Sequence, residues 1–340
     1  IKGLDNSGGK SVNKIGQVVF LINSYIWINK NFKKFDVVHV LGAFEMQILP
    51  SLWFEARGIP TVCKITGTDA GININKSSGL SKLLGISRNR TKNLQKLSGF
   101  IAISEEIKNK LINHSVPRNK IHKIPNGVNK SVFKKLNISQ KEILRERLSL
   151  ENKFTILFCG GITRGKQPHL IVKALKELIR NKGFDLQLIL LGPDRDNGTE
   201  KIKIDKIIKN FNLSNHVHKI SYTKEPYKYY QASDIFCLPS KSEGMSNSLL
   251  EAMSSGLPSL VTPISGSKDL ITENENGYYV NSVKDIIASI EDLYTNPTKL
   301  NIFGNNAREV IEKKYSSDLI LDEHFKLFRR VINKKNKNNC

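Results

Sequence analysis

The chain has 340 residues, 39% of them hydrophobic and 25% charged, which is enough for two ordinary domains with real cores. Lysine and arginine outnumber the acids by 53 to 31, a formal charge of +22, and no apolar run is long enough for a bilayer span. Four scattered cysteines exclude a disulfide framework and the usual zinc spacings. The charge has two readings: an anionic partner, or a lysine-rich composition bias with no partner. No nucleic-acid-binding motif accompanies the basic residues. No signal peptide is visible, the cytosol is the simplest compartment, and the start at Ile1 rather than Met reads as that of a fragment.

In chain order, short apolar runs at 37–41, 61–65, 99–103 and 120–124 predict strands in the first half. Runs at 155–159, 186–191, 217–220, 235–238, 259–262 and 278–280 predict strands in the second. Most lack alternation, as expected of strands buried on both faces of a parallel sheet. The segments between them have helical spacing. Leu170, Ile171, Ala174, Leu175, Leu178 and Ile179 make one apolar stripe. Alternating strands and helices predict doubly wound α/β domains. The halves echo each other: ARGIPTVCKITG at 56–67 is like SSGLPSLVTPIS at 254–265, a glycine ending a helix before a proline and a buried strand. The polar, charged stretch 131–152 predicts the boundary. Predicted domains are therefore 1–150 and 151–314, with a helix over 315–333 and a disordered tail at 334–340.

Two loops are candidates for chemistry. FTILFCGGITRGKQPHLIVKAL (154–175) reads as strand, turn, basic loop and helix. Gly160 and Gly161 permit a sharp turn and close approach of a ligand. A helix N-terminus together with Arg164 and Lys166 suits an anion. With 53 basic residues in the chain, two in one loop are unremarkable by count; their position at a strand's carboxyl end carries the argument. Walker and G-x-G-x-x-G spacings are absent, so hydrolysis of nucleoside triphosphates and NAD binding gain no support.

The second loop, SEGMSNSLLEAMSSGLP (242–258), also follows a strand. Ser248 and Glu251 have capping-box spacing, so Glu251 has a structural reading as a helix-end group. Glu243, beside Gly244, has no such role. In the functional reading, both carboxylates and the backbone N–H groups of Gly244, Met245, Ser246 and Asn247 face one cleft. Carboxylates accept hydrogen bonds from hydroxyls and so suit a sugar or ribose. An anion loop beside a polyol loop suits a nucleotide sugar.

E-G-M-S-N-S-L-L-E-A-M-x-x-G-L-P resembles the donor-site signature of retaining GT-B glycosyltransferases of the family-4, group 1 type. FDVVHVLGAF, GIPTVCKITGTD, KIPNGVNKSVF, FCGGITRGK and YYQASDIFCLPS fit in the same order, so the resemblance covers nearly the whole chain. It implies two Rossmann-like domains facing across a cleft, an N-terminal acceptor-side domain incomplete at its start, and a final helix that crosses back to it. It further implies that Glu251 holds the ribose, that Glu243 contacts the transferred sugar, and that Gly160, Gly161 and residues 244–247 approach the donor. Lys166 matches the lysine that neutralises the diphosphate leaving group.

This sequence departs from the family pattern in three places. Gly161 stands where an arginine is common, with Arg164 as a substitute. Thr66 stands where a histidine is common, before Asp69. IKGLDNSGGK does not match the usual first strand and loop. His39, Thr66, Asp69 and Asn126 are the acceptor-side candidates, with a buried histidine and turn roles as their structural readings.

The resulting expectation is a metal-independent retaining glycosyltransferase with no cofactor. It would move a hexose from a nucleoside diphosphate sugar, of UDP or GDP type, to a glycan or lipid-linked acceptor in cell-surface polysaccharide synthesis. Front-face attack within an ion pair follows from the resemblance. Lys166, Arg164 and helix N-terminal amides would stabilise the departing diphosphate. The charge adds an expected docking site on the anionic inner face of the membrane, and no nucleic-acid partner. Two other classes stay open: a nucleotide-sugar-binding module without turnover, and a GT-B phosphorylase or epimerase.

Overall fold

The computed structural model describes residues 14–67 and 90–339. IKGLDNSGGK and the candidate Asp69 lie outside the described residues. The chain divides into two compact units, one formed by Ile1–Ile124 with Glu323–Cys340 and the other by Pro125–Asp322.

The first unit contains α1 (Lys14–Asn31), β1 (Val38–Leu41), α2 (Glu45–Ala56), β2 (Thr61–Ile65), α3 (Arg90–Lys96), β3 (Gly99–Ala102), α4 (Glu105–Asn113) and β4 (Ile121–Lys123). Its strands form a parallel sheet in the order β1-β2-β3-β4. The continuous apolar run of β3 is fully buried, as a strand covered on both faces requires.

The second unit contains α5 (Ile138–Arg147), β5 (Phe154–Cys159), α6 (His169–Lys182), β6 (Leu186–Leu191), α7 (Thr199–Asn210), β7 (Val217–Ile220) and α8 (Pro226–Ala232). It continues with β8 (Ile235–Leu238), α9 (Asn247–Ser254), β9 (Ser259–Val261), α10 (Ser265–Leu270), β10 (Gly277–Tyr279), α11 (Val283–Thr295) and α12 (Pro297–Lys314). The last helix, α13 (Ser317–Asn339), starts in this unit and belongs to the first unit from Glu323 onward. All six strands are parallel, in the order β10-β9-β8-β5-β6-β7. The apolar stripe of α6 is its buried face: Ile171, Ala174, Leu175 and Leu178 are fully covered.

Every strand expected from the sequence is present, with ends within two residues. The echoed helix ends are also structural twins. Gly58 and Gly256 have φ of +82° and +74°, the left-handed conformation that glycine adopts without strain. Gly58 N donates to Glu55 O and Ile59 N to Phe54 O, and Gly256 N donates to Met253 O and Leu257 N to Ala252 O. Both are Schellman closures, which satisfy carbonyls left open at a helix end.

The polar stretch 131–152 lies within the second unit, which begins at Pro125. Its charges explain why it packs there. Arg145 and Lys141 on α5 reach Asp234, just before β8, at 2.6 and 2.9 Å, and Asp234 also accepts from Thr155 N at 2.7 Å. Residues 334–339, expected as a disordered tail, instead continue α13, where Lys335 pairs with Glu55 at 3.0 Å. The buried Glu55 carboxylate also accepts from Thr61 N and Ser98 N, so one lysine from the final helix completes its coordination.

Candidate functional site

Sheet order brings the two candidate loops together. From β5 the chain winds outward through β6 and β7, then returns to β8 on the other side of β5. β5 and β8 are neighbours, with Ile156 opposite Ile235 and Leu157 opposite Phe236. The loops after these strands therefore leave the sheet side by side at its topological switch point, where open α/β sheets bind ligands.

Across that junction Lys166 Nζ lies 2.8 Å from Glu243 Oε1, which also accepts from Ser240 Oγ at 3.1 Å. Both side chains of the pair are about three-quarters buried, with 27% and 21% exposed. Gly160 gives the lysine its place. Its φ is +151°, and a Cβ there would meet Lys166 Cδ and Nζ at 3.1 Å. Lys166, Gly160 and Gly161 line a cleft of about 340 Å³ with Cys159, Thr163, Arg195, Tyr222 and Thr223. Gly161 packs against Arg195, whose Cδ would be 3.2 Å from a Cβ on that glycine. An arginine therefore does border Gly161, supplied from the loop after β6 rather than from position 161.

Arg164 is placed differently. Its side chain is 66% exposed, 3.9 Å from Asp196 Oδ2, and donates to Thr199 Oγ1 at 3.2 Å. Its backbone N–H also donates to Asp196, so this arginine ties its own loop to the start of α7.

The expected open amides at the start of α6 are occupied. His169 N donates to the fully buried Glu200, whose Oε1 also meets His169 Nδ1. Leu170 N and Ile171 N donate to the carbonyls of Gln167 and Pro168. The start of α9 differs. Ser246 is its N-cap and accepts from Leu249 N at 3.4 Å. Among the described residues, the amides of Met245, Ser246, Asn247 and Ser248 make no hydrogen bond. The helix terminus open to an anion is that of α9.

The expected capping box at Ser248 and Glu251 does not form. The helix starts two residues earlier, and Ser248 Oγ instead shares a hydrogen bond with Ser246 Oγ at 2.8 Å. Glu251 is thereby released from the helix end. Its Oε2 accepts from Tyr230 OH at 2.7 Å, and its pKa is raised because burial disfavours the charged form, an effect the tyrosine opposes. Cys159 on the cleft wall interacts with the same tyrosine, and burial pushes its thiol up to about 11.

The glycine loop is braced from α10. Gly266 N donates to Gly244 O at 2.8 Å, while Met245 is buried beneath it. Asn126, expected on the acceptor side, lies in the second unit and donates to Asn247 Oδ1 at 2.9 Å. In the first unit Thr66 follows β2 and is exposed. His39 on β1 is partly covered rather than buried, with His324 at 5.9 Å and Phe328 at 5.5 Å between ring centres and the rest of the ring open to solvent. Partial desolvation, then the neighbouring His324 and Lys64, push its pKa down to about 4.

Sequence reasoning missed Arg195 and Tyr230. A signal existed for Arg195, since GPDRD follows a strand and so opens at the carboxyl end of the sheet. Tyr230 lies within the quoted YYQASDIFCLPS, but nothing there marks its role: it is one of three tyrosines in a short helix, and only packing aims its hydroxyl at Glu251.

A parallel doubly wound sheet that gathers an ammonium, a guanidinium, open helix amides and two carboxylates at its switch point suits an anionic ligand that also carries hydroxyls. The model for glycosyl transferases group 1 matches residues 139–310, and that for glycosyltransferase family 4 matches residues 11–132. The chain belongs to this family of group 1, family-4 glycosyltransferases.

It is 28% identical over 230 residues to a capsular polysaccharide biosynthesis glycosyltransferase, CapM, of Staphylococcus aureus, covering 66% of this chain and 59% of the relative. It is 30% identical over 210 residues to the poly(ribitol-phosphate) alpha-N-acetylglucosaminyltransferase of the same organism, covering 57% of this chain and 43% of the relative. The chain thus spans less than two-thirds of the length of these curated relatives. In fold it is similar to Anabaena HepE in complex with UDP, with a TM-score of 0.76 at 16% identity over 90% of this chain and 82% of that one. A glycosyltransferase from Rickettsia africae gives 0.77 at 19% identity over 96% and 84%. The mixed α/β fold with parallel sheets is that of GT-B glycosyltransferases.

Proposed function

We propose that this protein is a retaining glycosyltransferase. In this reading the second unit binds a nucleoside diphosphate sugar, a hexose is transferred to a glycan or lipid-linked acceptor, and the first unit serves the acceptor. The observation that carries it is the Lys166–Glu243 pair at the junction of the two loops, beside the cleft that Arg195 lines. The S. aureus relatives act in capsular polysaccharide biosynthesis and on poly(ribitol-phosphate), and the HepE structure holds UDP, which supports a UDP-linked donor and a cell-surface product.

The hard step is departure of the diphosphate, because negative charge builds on its terminal oxygens. Lys166 is the group that meets this charge, and the open α9 amides supply fixed dipoles. The arriving diphosphate competes with Glu243 for the lysine. Once displaced, the Glu243 carboxylate accepts from hydroxyls of the transferred sugar. Glu251 accepts from the ribose hydroxyls, and Arg195 bears on the nucleotide side of the cleft. Arg164, held by Asp196 and Thr199, anchors the loop. An ammonium and amides answer the leaving-group charge without a divalent ion, so turnover persists in excess EDTA.

No described helix is long and apolar enough to cross a membrane. The charge of +22 supports peripheral docking on anionic lipid, and binding to such vesicles weakens with salt. The central test is calorimetry with a panel of nucleotide sugars on the wild type and Glu251→Ala, followed by a search for transfer. Binding by the wild type that the variant loses supports the reading. It fails if no nucleotide sugar binds, or if the variant binds equally well. Donor binding without turnover against any acceptor returns the protein to the binding-module class.

A further inference from the structure

Tyr230 is fully buried, although its side chain ends in a polar group. Its ring lies edge-on to Phe133, with centroids 5.4 Å apart, and tilted against Phe236 at 6.1 Å. It cannot turn, so its hydroxyl has a fixed address. That address is Glu251 Oε2 at 2.7 Å. Cys159 lies against the same hydroxyl, and its thiol stays protonated at neutral pH. The polar chain therefore runs from the thiol on the cleft wall through the phenol to the carboxylate. The other carboxylate oxygen, Oε1, makes no hydrogen bond among the described residues and is not one of the sealed, unpaired atoms. One oxygen of Glu251 is thus held from behind, and the other is open.

We propose that Tyr230 is a positioning residue for nucleoside recognition. By fixing Glu251 through Oε2, it orients Oε1 toward the vicinal ribose hydroxyls and keeps the buried carboxylate charged, so that the site selects ribonucleotides over their deoxy forms. This rests on the donor-site reading given above. The physical ground is that a buried carboxylate without a donor protonates or rotates, and either change removes a directed acceptor. A hydroxyl on a locked ring prevents both at little cost in entropy.

The test uses calorimetry on the full chain with UDP and GDP, followed by the 2′,3′-dideoxy form of whichever binds more tightly. Glu251→Gln and Tyr230→Phe are compared with the wild type. Tyr230→Phe is expected to bind the ribonucleotide about tenfold more weakly, the loss of one hydrogen bond to a charged group, and the dideoxy form unchanged. The acid limb of its binding profile should also move to higher pH, which a purely structural tyrosine would not cause. If Tyr230→Phe does not fold, 3-fluorotyrosine at position 230 keeps the ring and strengthens the donor, and the acid limb should move down. If the wild type distinguishes ribose and Glu251→Gln does not, while the Tyr230 substitutions change neither ribose discrimination nor the acid limb, this inference is overturned and the donor site stands. If the wild type binds neither nucleotide, both fall together.

Discussion

Replacing Lys166 by methionine keeps the stem of the side chain and removes its charge. Two costs follow, and the structure sets them on different scales. For folding, the lost partner is Glu243 at 2.8 Å, with both groups still about a quarter exposed, and Ser240 continues to donate to that carboxylate. An ion pair wetted to this degree contributes about 0–1 kcal/mol, a shift of at most about 4 °C in Tm. For the proposed reaction, the lysine is the cation that lines the cleft and would meet the charge of the departing diphosphate. Removing one preorganised donor of this kind costs about 10²- to 10³-fold in kcat. Weaker nucleotide binding adds about tenfold in Kd. The assay is release of nucleoside diphosphate from the donor, with calorimetry for affinity and scanning calorimetry for Tm. Lys166→Arg, which retains the charge, should recover part of the rate. A methionine variant within about threefold of wild-type kcat, or a rate loss that merely follows the fraction unfolded, would refute the reasoning.

Three further outcomes are expected. Arg195→Ala should weaken nucleotide binding by about tenfold, because its guanidinium borders the cleft beside Gly161, whereas the mostly exposed Arg164 should cost under about threefold when replaced by alanine; calorimetry ranks the two. Asp234→Asn leaves the buried Arg145 without its counter-charge and should lower the urea stability of the second unit by about 3–5 kcal/mol. For His39 the fold favours the neutral ring, with a pKa of about 4 against the ordinary 6.5, so the unfolded chain takes up the proton first as pH falls. Its contribution is present above pH 6.5 and is lost toward pH 4, and His39→Phe should flatten the stability profile across that window.

The sheets were legible in the sequence because the signal is local. A strand buried on both faces must be apolar along its length, and none of the ten expected runs was displaced by more than two residues. The twin glycine closures were legible for the same reason, since a left-handed residue after a helix is a short-range demand met by glycine. The start of α9 was misread because two serines two residues apart both suit an N-cap. The choice of Ser246 depended on the loop being held by Gly266 and the buried Met245. The helix terminus with open amides is that of α9 rather than α6 because Glu200, some thirty residues downstream, covers the first turn of α6. The tail was read from composition, and its pairing with Glu55 lies far away in the chain.

By itself, then, the sequence determined the parallel α/β class, the strand positions, the two loops and the residue types that suit a nucleotide sugar, since each is set by periodicity or turn chemistry over a few residues. Tertiary structure alone decided how those residues are used. β5 and β8 are about eighty residues apart in the chain yet adjacent in the sheet, and only that adjacency pairs Lys166 with Glu243. The pairing of β5 with β6 likewise brings Arg195 to Gly161, and the packing of α8 against α9 aims Tyr230 at Glu251. Contacts of that kind depend on strand order and packing, which no short window of sequence contains.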